Sequence, residues 1–125
     1  MPHMPQLPGK KVIGLSLAAL LISAVAVAQD TVELNPDHPV VHNELGIIYR
    51  KTARFPEARR SYEAALAVYP GYHYARRNLA VLCDLYLADL QCAADNYEAY
   101  MATVHSDDEA AMWLKGVQFR LGRTE

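Results

Sequence analysis

Three groups of residues in this chain have types and spacings that invite a chemical reading. His38 and His42 stand four apart, a spacing that places two imidazoles on one helix face for a zinc ion, and Glu44 lies close by. The match stops there. Pro39 separates the pair, Glu44 does not complete an H-E-x-x-H arrangement, and His3, His73 and His105 are scattered singly, so no metal site is expected. Asp107-Asp108-Glu109 offers three carboxylates in succession. Paired acids suit general acid–base work, but a run of them just ahead of a helical stretch is better explained as a helix N-terminus. There Asp caps free N–H groups and negative charge meets the positive end of the helix dipole. Cys83 and Cys92 form the third group. No Gly-rich phosphate loop, nucleophile elbow or Cys/His catalytic arrangement accompanies them. The chain is therefore expected to be no enzyme and to need no cofactor.

The bulk properties narrow the class. At 125 residues, 52% of them hydrophobic, the chain holds one small domain. A mean hydropathy near zero excludes both a disordered chain and a polytopic membrane protein. The formal charge of −2 argues against nucleic acid as a partner, which calls for a clear basic excess. That charge is unevenly spread. Arg50, Lys51, Arg54, Arg59, Arg60, Arg76 and Arg77 face only Glu57 and Glu63, whereas Asp84, Asp89, Asp95, Glu98, Asp107, Asp108 and Glu109 follow with no basic residue among them. Such a pattern fits solvated helix faces, or complementary patches through which copies stack head to tail.

The first segment reads as an address. Lys10 and Lys11 precede an uncharged apolar run from Val12 to Ala28, which ends in Ala26-Val27-Ala28 before Gln29. This is the form of a signal peptide cleaved between Ala28 and Gln29. An uncleaved signal anchor and a buried core helix are the alternatives. Under either membrane reading the two lysines stay inside and the remainder faces outward.

Beyond that segment the chain echoes itself. At an offset of 34, Leu45-Gly46-Ile47-Ile48 falls on Leu79-Ala80-Val81-Leu82, and Tyr49 on Cys83. One extra residue in the second turn moves the offset to 35, so that Ala58 falls on Ala93 and Tyr62-Glu63-Ala64 on Tyr97-Glu98-Ala99. Paired helices at this period, with the pattern W-x2-L-G-x2-Y, then A-x3-F, then P, mark the tetratricopeptide repeat. Leu45, Gly46, Tyr49, Ala58, Tyr62, Ala65 and Pro70 all fall in place, with His42 where Trp is usual, and the chain resembles that family from His38 to about His105. The second copy departs from the pattern at Ala80 and Cys83 and has no closing Pro.

The resemblance implies an all-α, right-handed solenoid of two helix pairs plus a C-terminal capping helix. Helices are expected over 39–52, 56–69, 72–87, 90–104 and 107–121. The units would be a leader (1–28), a stub of a preceding repeat helix (29–38), a first repeat (39–72), a degenerate second repeat (73–106) and a cap with tail (107–125). Pro56 suits a first helical turn, and Pro70-Gly71 ends a helix. Gly46 costs about 1 kcal/mol in a helix interior relative to Ala and is expected to permit close helix approach, with Ala58 as the facing small surface. Tyr49 and Tyr62 are expected in the core, and Met112, Trp113, Val117 and Leu121 on the apolar stripe of the cap. Thr31 to Pro36 echoes Ala65 to Pro70, as if an earlier repeat ended there.

Function follows from the same resemblance. Tetratricopeptide repeats hold a peptide or partner helix on a concave face lined by first helices. Here that face would comprise Val40, Asn43, Ile47, Arg50, Tyr74, Arg77, Asn78, Val81 and Asp84, a mixture suited to an extended or acidic protein segment. Arg77→Glu is expected to weaken capture without lowering melting temperature. Exported proteins of this kind imply the periplasm, or the periplasm-facing inner membrane, of a bacterium and partners in envelope machinery. The alternative is a self-associating structural subunit, a homo-oligomer held to the membrane by its N-terminal segment. Cys83 and Cys92 lie symmetrically about the second hairpin turn, which in an oxidising compartment invites a disulfide. Two buried small hydrophobes are the other reading.

Overall fold

The computed structural model describes residue 3 and residues 17–123. Lys10, Lys11 and the front of the apolar run lie outside the described residues. The elements are helices α1 (Leu17–Leu34), α2 (Pro39–Lys51), α3 (Phe55–Val68), α4 (His73–Leu85), α5 (Leu90–Met101) and α6 (Asp108–Arg120). The five expected from the repeat pattern occur within a few residues of their anticipated limits. Helices α2 and α3 form one antiparallel hairpin and α4 and α5 a second, while α1 stacks on α2, α3 on α4 and α5 on α6. This is an all-α helical solenoid of the tetratricopeptide type.

Local chemistry sets the helix ends. Pro39 and Pro56 sit in first turns, where a missing N–H costs nothing. The side chains of Asp89 and Asp107 cap α5 and α6 by accepting from the N–H groups of Cys92 and Ala110. Ala53 and Ala88, at φ 58° and 51°, turn the two hairpins in the left-handed region. The turns close differently. Arg54 N–H bonds back five residues to Tyr49 O at 2.8 Å, and Asp89 N–H bonds back six, to Cys83 O, at 2.9 Å. The extra residue that moves the repeat offset from 34 to 35 is housed in that longer closure.

The core combines small residues with two rings. Ala58, Ala65, Ala75, Ala80, Ala93 and Ala94 are wholly buried, and so are Tyr62 and Tyr97 to within a percent or so. A Cβ placed on Gly46 would stand 2.5 and 2.6 Å from Cε1 and Cδ1 of Tyr62. The expectation that Ala58 provides the surface facing Gly46 is thereby corrected. Ala58 is buried, but the Tyr62 ring is what occupies the space of the glycine's missing side chain.

Two further features bear on the ends of the solenoid. Helix α1 passes without interruption through Ala28 and Gln29. Val25 is buried in the core, Ala28 and Val32 pack against it, and the Gln29 amide donates to the Tyr49 hydroxyl. In the whole chain this segment is thus a full helix in the place of a preceding repeat's second helix, as the echo at Thr31 to Pro36 implies, and a stub describes only a cleaved product. Among the described residues no helix is long and apolar enough to cross a membrane. At the other end, Val117 is buried and Trp113, Leu114 and Leu121 pack against the core, whereas Met112 is 63% exposed. Met112 therefore does not belong to the apolar stripe. Ala110 and Leu114 complete the helical spacing that faces α5.

A pair of glycine substitutions tests this packing. Gly46→Ala gains about 1 kcal/mol of helix propensity but overpacks against the Tyr62 ring at a cost of about 1–3 kcal/mol. Gly116 lies in α6 with nothing within 4 Å of its would-be Cβ, so Gly116→Ala collects only the propensity gain. Urea denaturation should show the first variant less stable than the parent and the second slightly more stable.

Candidate functional site

The inner row of first helices, α2 and α4, carries the nine residues singled out from the sequence, and the two helices touch. Their side chains divide into two sets. Asn43 is buried, and its Oδ1 accepts from Asn78 Nδ2 at 3.0 Å, which joins the two helices through one polar pair. Asp84 is only 8% exposed. It accepts from Arg120 of α6 on one oxygen and from the Tyr97 hydroxyl at 3.3 Å on the other. Burial, and then the neighbouring Asp84 charge, push the Tyr97 hydroxyl far up from its ordinary value. Arg77 donates from Nε to Asp107 Oδ2 at 3.0 Å, lies 3.6 Å from Glu109 and stacks 4.9 Å over the Trp113 ring. These four residues are engaged in bonds between helices.

The second set reaches the surface, though Ile47 and Val81 also pack against the core. Val40 and Tyr74 are exposed, and Ile47, Arg50 and Val81 are half-buried. Arg50 lies beside the hydroxyls of Tyr62 and Tyr86, which outweigh the opposing effect of burial and hold its guanidinium firmly charged. What remains open to a partner is an apolar and aromatic strip with a cationic edge, rather than the mixed Arg, Asn and Asp surface anticipated. Two exposed apolar residues at the end of α4, Leu85 and Tyr86, and two on α6, Met112 and Phe119, were not singled out for this role. No periodicity distinguishes them from core residues. Only their accessibility reveals them.

The uneven charge is settled in part within one chain. Arg59 reaches Asp89 at 3.1 Å and Glu63 at 2.8 Å, Arg77 reaches Asp107, Arg120 reaches Asp84, and Arg123 lies 3.7 Å from Glu98. Arg59 and Arg77 of the basic middle thus pair with acids of the second half, and Arg120 and Arg123, beyond both, pair with Asp84 and Glu98. Asp107 is the most engaged of the acids. The Ala110 N–H, then the Tyr100 hydroxyl at 2.8 Å and Arg77, hold its carboxyl below its ordinary value despite some burial. Asp89 is lowered likewise by the Cys92 N–H and Arg59. Of the histidines, His38 stands at the N-cap of α2, and the His42 ring bonds to the Pro36 carbonyl at 2.6 Å. Among the described residues no three His, Cys, Asp or Glu side chains converge as metal ligands would.

Cys83 and Cys92 are joined in a disulfide with Cα atoms 5.8 Å apart. Cys83 is wholly buried at the place that Tyr49 takes in the first hairpin. A thiol-sized residue leaves the room that a ring would fill, and the bond to Cys92 occupies it.

With this geometry in view, comparison with known families gives one match. The model of the tetratricopeptide repeat fits residues 39–72, which are helices α2 and α3 with their flanking turns. Residues 39–72 of the chain are thus a tetratricopeptide repeat.

The engagement of Arg77 reverses the expectation that its replacement leaves stability unchanged. Arg77→Glu sets a carboxylate against Asp107 and Glu109 and should lower melting temperature at neutral pH. Asp107 has a folded pKa below its unfolded one, so its stabilisation is complete above the unfolded value of about 3.9 and is lost as pH falls through the lower folded value. Asp107→Asn keeps a capping oxygen but no charge. Melting curves between pH 7 and pH 2 should show this variant less stable at pH 7 and with a shallower acid loss than the parent.

Proposed function

We propose that the chain is a non-catalytic interaction module that holds an extended segment of a partner protein along the inner row of α2 and α4. The observation that carries this reading is the division of the row. Asn43, Asn78, Arg77 and Asp84 are spent on internal bonds, while Val40 and Tyr74 are exposed, Ile47 and Val81 keep part of their surface accessible, and Arg50 and Lys51 end α2. An accessible apolar strip with a basic edge suits a segment that presents apolar side chains and acidic flanks. Charge-driven stacking between copies has less to recommend it, because Asp84, Asp89, Glu98 and Asp107 of the acidic half already pair within one chain.

Val40→Arg tests the strip. Val40 is exposed in the first turn of α2, away from the Arg77 and Asp84 contacts, so the substitution places charge in the strip without entering the core. Capture from an envelope fraction on immobilised parent should retain a partner that the Val40→Arg column loses at equal melting temperature. Equal retention on both columns would remove the inner row from the reading.

We further infer that the chain works in the bacterial envelope, facing an oxidising compartment. The basic and apolar leader ending in Ala26-Val27-Ala28 supports this, as does the short distance between the two cysteines. A cross-link over about ten residues stabilises by about 2–3 kcal/mol on the chain-entropy estimate. Native material should therefore yield no alkylatable thiol when denatured without reductant, begin at Gln29, and melt at lower temperature after reduction. Two free thiols in freshly isolated protein would place it in a reducing compartment.

A further inference from the structure

Away from the inner row, a cavity of about 290 Å³ opens between the start of α4 and the end of α5, lined by Pro70, His73, Arg76, Ala99, Tyr100 and Thr103 among others. Its charge is unbalanced. Arg76 donates from Nη1 to Asn96 Oδ1 and from Nη2 to the Pro70 carbonyl, both at 3.1 Å. Both acceptors are neutral, so the guanidinium is oriented but its charge is not cancelled, and no carboxylate lines the cavity. The carboxylate bonded to the Tyr100 hydroxyl, Asp107, is already engaged by Arg77 and the Ala110 N–H.

Aromatic rings lead into this cavity from the surface. Tyr69 and Tyr72 have centroids 6.4 Å apart, Tyr72 and Tyr74 5.7 Å, Tyr74 and His73 4.2 Å, and His73 and Tyr100 6.5 Å. Tyr69 is 55% and Tyr74 59% exposed, in a protein whose other tyrosines of the repeat pattern are buried. Alternate side chains of an extended peptide project on one side roughly 6.5 Å apart. That spacing is close to the step between the first rings of this row.

We propose that the row and the cavity together form a second docking surface, for an extended peptide in which apolar residues alternate and an acidic side chain follows. The apolar side chains lie on Tyr69, Tyr72 and Tyr74, and the carboxylate enters the cavity to pair with Arg76 beside His73. The surface is built from the turn between the repeats, the first turn of α4 and the end of α5. It shares Tyr74 with the strip along α2 and α4, but its charged end at Arg76 and Tyr100 lies outside the residues of that strip.

The probe is acetyl-Leu-Ser-Leu-Ser-Glu-Ser-amide, titrated into the full ¹⁵N-labelled chain, with its Gln counterpart and a peptide whose only carboxylate is a free C-terminus as comparisons. The Glu peptide should shift the amides of residues 69–76 and 99–103 in a saturable way. The Gln peptide should bind at least about ten-fold more weakly, as befits loss of a charge-assisted bond. Tyr69→Ala, at an exposed ring, should weaken the Glu peptide several-fold with an unchanged melting temperature, which keeps the test valid even where Arg76→Gln loosens the turn. Equal binding of the Glu and Gln peptides, shifts centred on residues 40, 47 and 81, binding only through a free C-terminus, or no saturable shift at all would each overturn the proposal.

Discussion

The approach of α3 to α2 at Gly46 is the constraint on which the first repeat depends. The Tyr62 ring lies where any side chain at that position would begin, so the glycine sets the separation of the hairpin. The wholly buried Ala58 and Ala65 allow α3 to lie flat at that distance. A ring packed on backbone gains dispersion contacts, which oppose the propensity lost at the glycine. The second hairpin reaches a similar result by other means. Ala80 stands where Gly46 does and Tyr97 where Tyr62 does, and a covalent bond between Cys83 and Cys92 spans the seam. The copy that departs furthest from the repeat pattern carries the cross-link.

The attachment of α6 decides how much of the inner row is left for binding. A last helix that packs only through Val117, Trp113 and Leu114 would be weakly held. Arg77 and Asp84 add charge-assisted bonds from α4 to the beginning and the end of α6, and Tyr100 and Tyr97 add their hydroxyls to the same two carboxylates. Exposed ion pairs contribute little to stability, since solvent and salt screen them. Asp84 and Asp107 are the least exposed acids of the pairs, at 5% and 18% of their side-chain surface, and matter more. Two residues that look like ligand-binding charges are thus structural, and the binding character of the row shifts from polar to apolar.

A similar economy governs the aromatic residues. Eight tyrosines serve either as core rings, as at Tyr49, Tyr62 and Tyr97, or as surface rings, as at Tyr69, Tyr74 and Tyr86. The surface set gathers near Pro70-Gly71 and at the end of α4, where Tyr86 stacks on Phe55 of α3 yet stays partly exposed. Solenoids bury each helix only against its neighbours, so residues at the turns between repeats stay accessible. Those turns are where this protein holds its uncovered rings and an unbalanced guanidinium.

The sequence by itself determined the helices, their order and their pairing. Leu45, Gly46, Tyr49, Ala58, Tyr62 and Pro70 state a helix hairpin through spacing alone, because an α-helix converts spacing into a face. Asp107 as a cap and the extra residue in the second turn were equally legible, since both act within a few residues of chain. Tertiary structure alone decided the partners of side chains from different helices: Tyr62 rather than Ala58 at Gly46, Asp107 rather than a ligand at Arg77, Arg120 at Asp84, and solvent at Met112. Those contacts join residues 16 to 36 positions apart, and their existence depends on the angle and separation at which helices stack. No local pattern encodes that geometry, because it is fixed by the summed packing of the whole core.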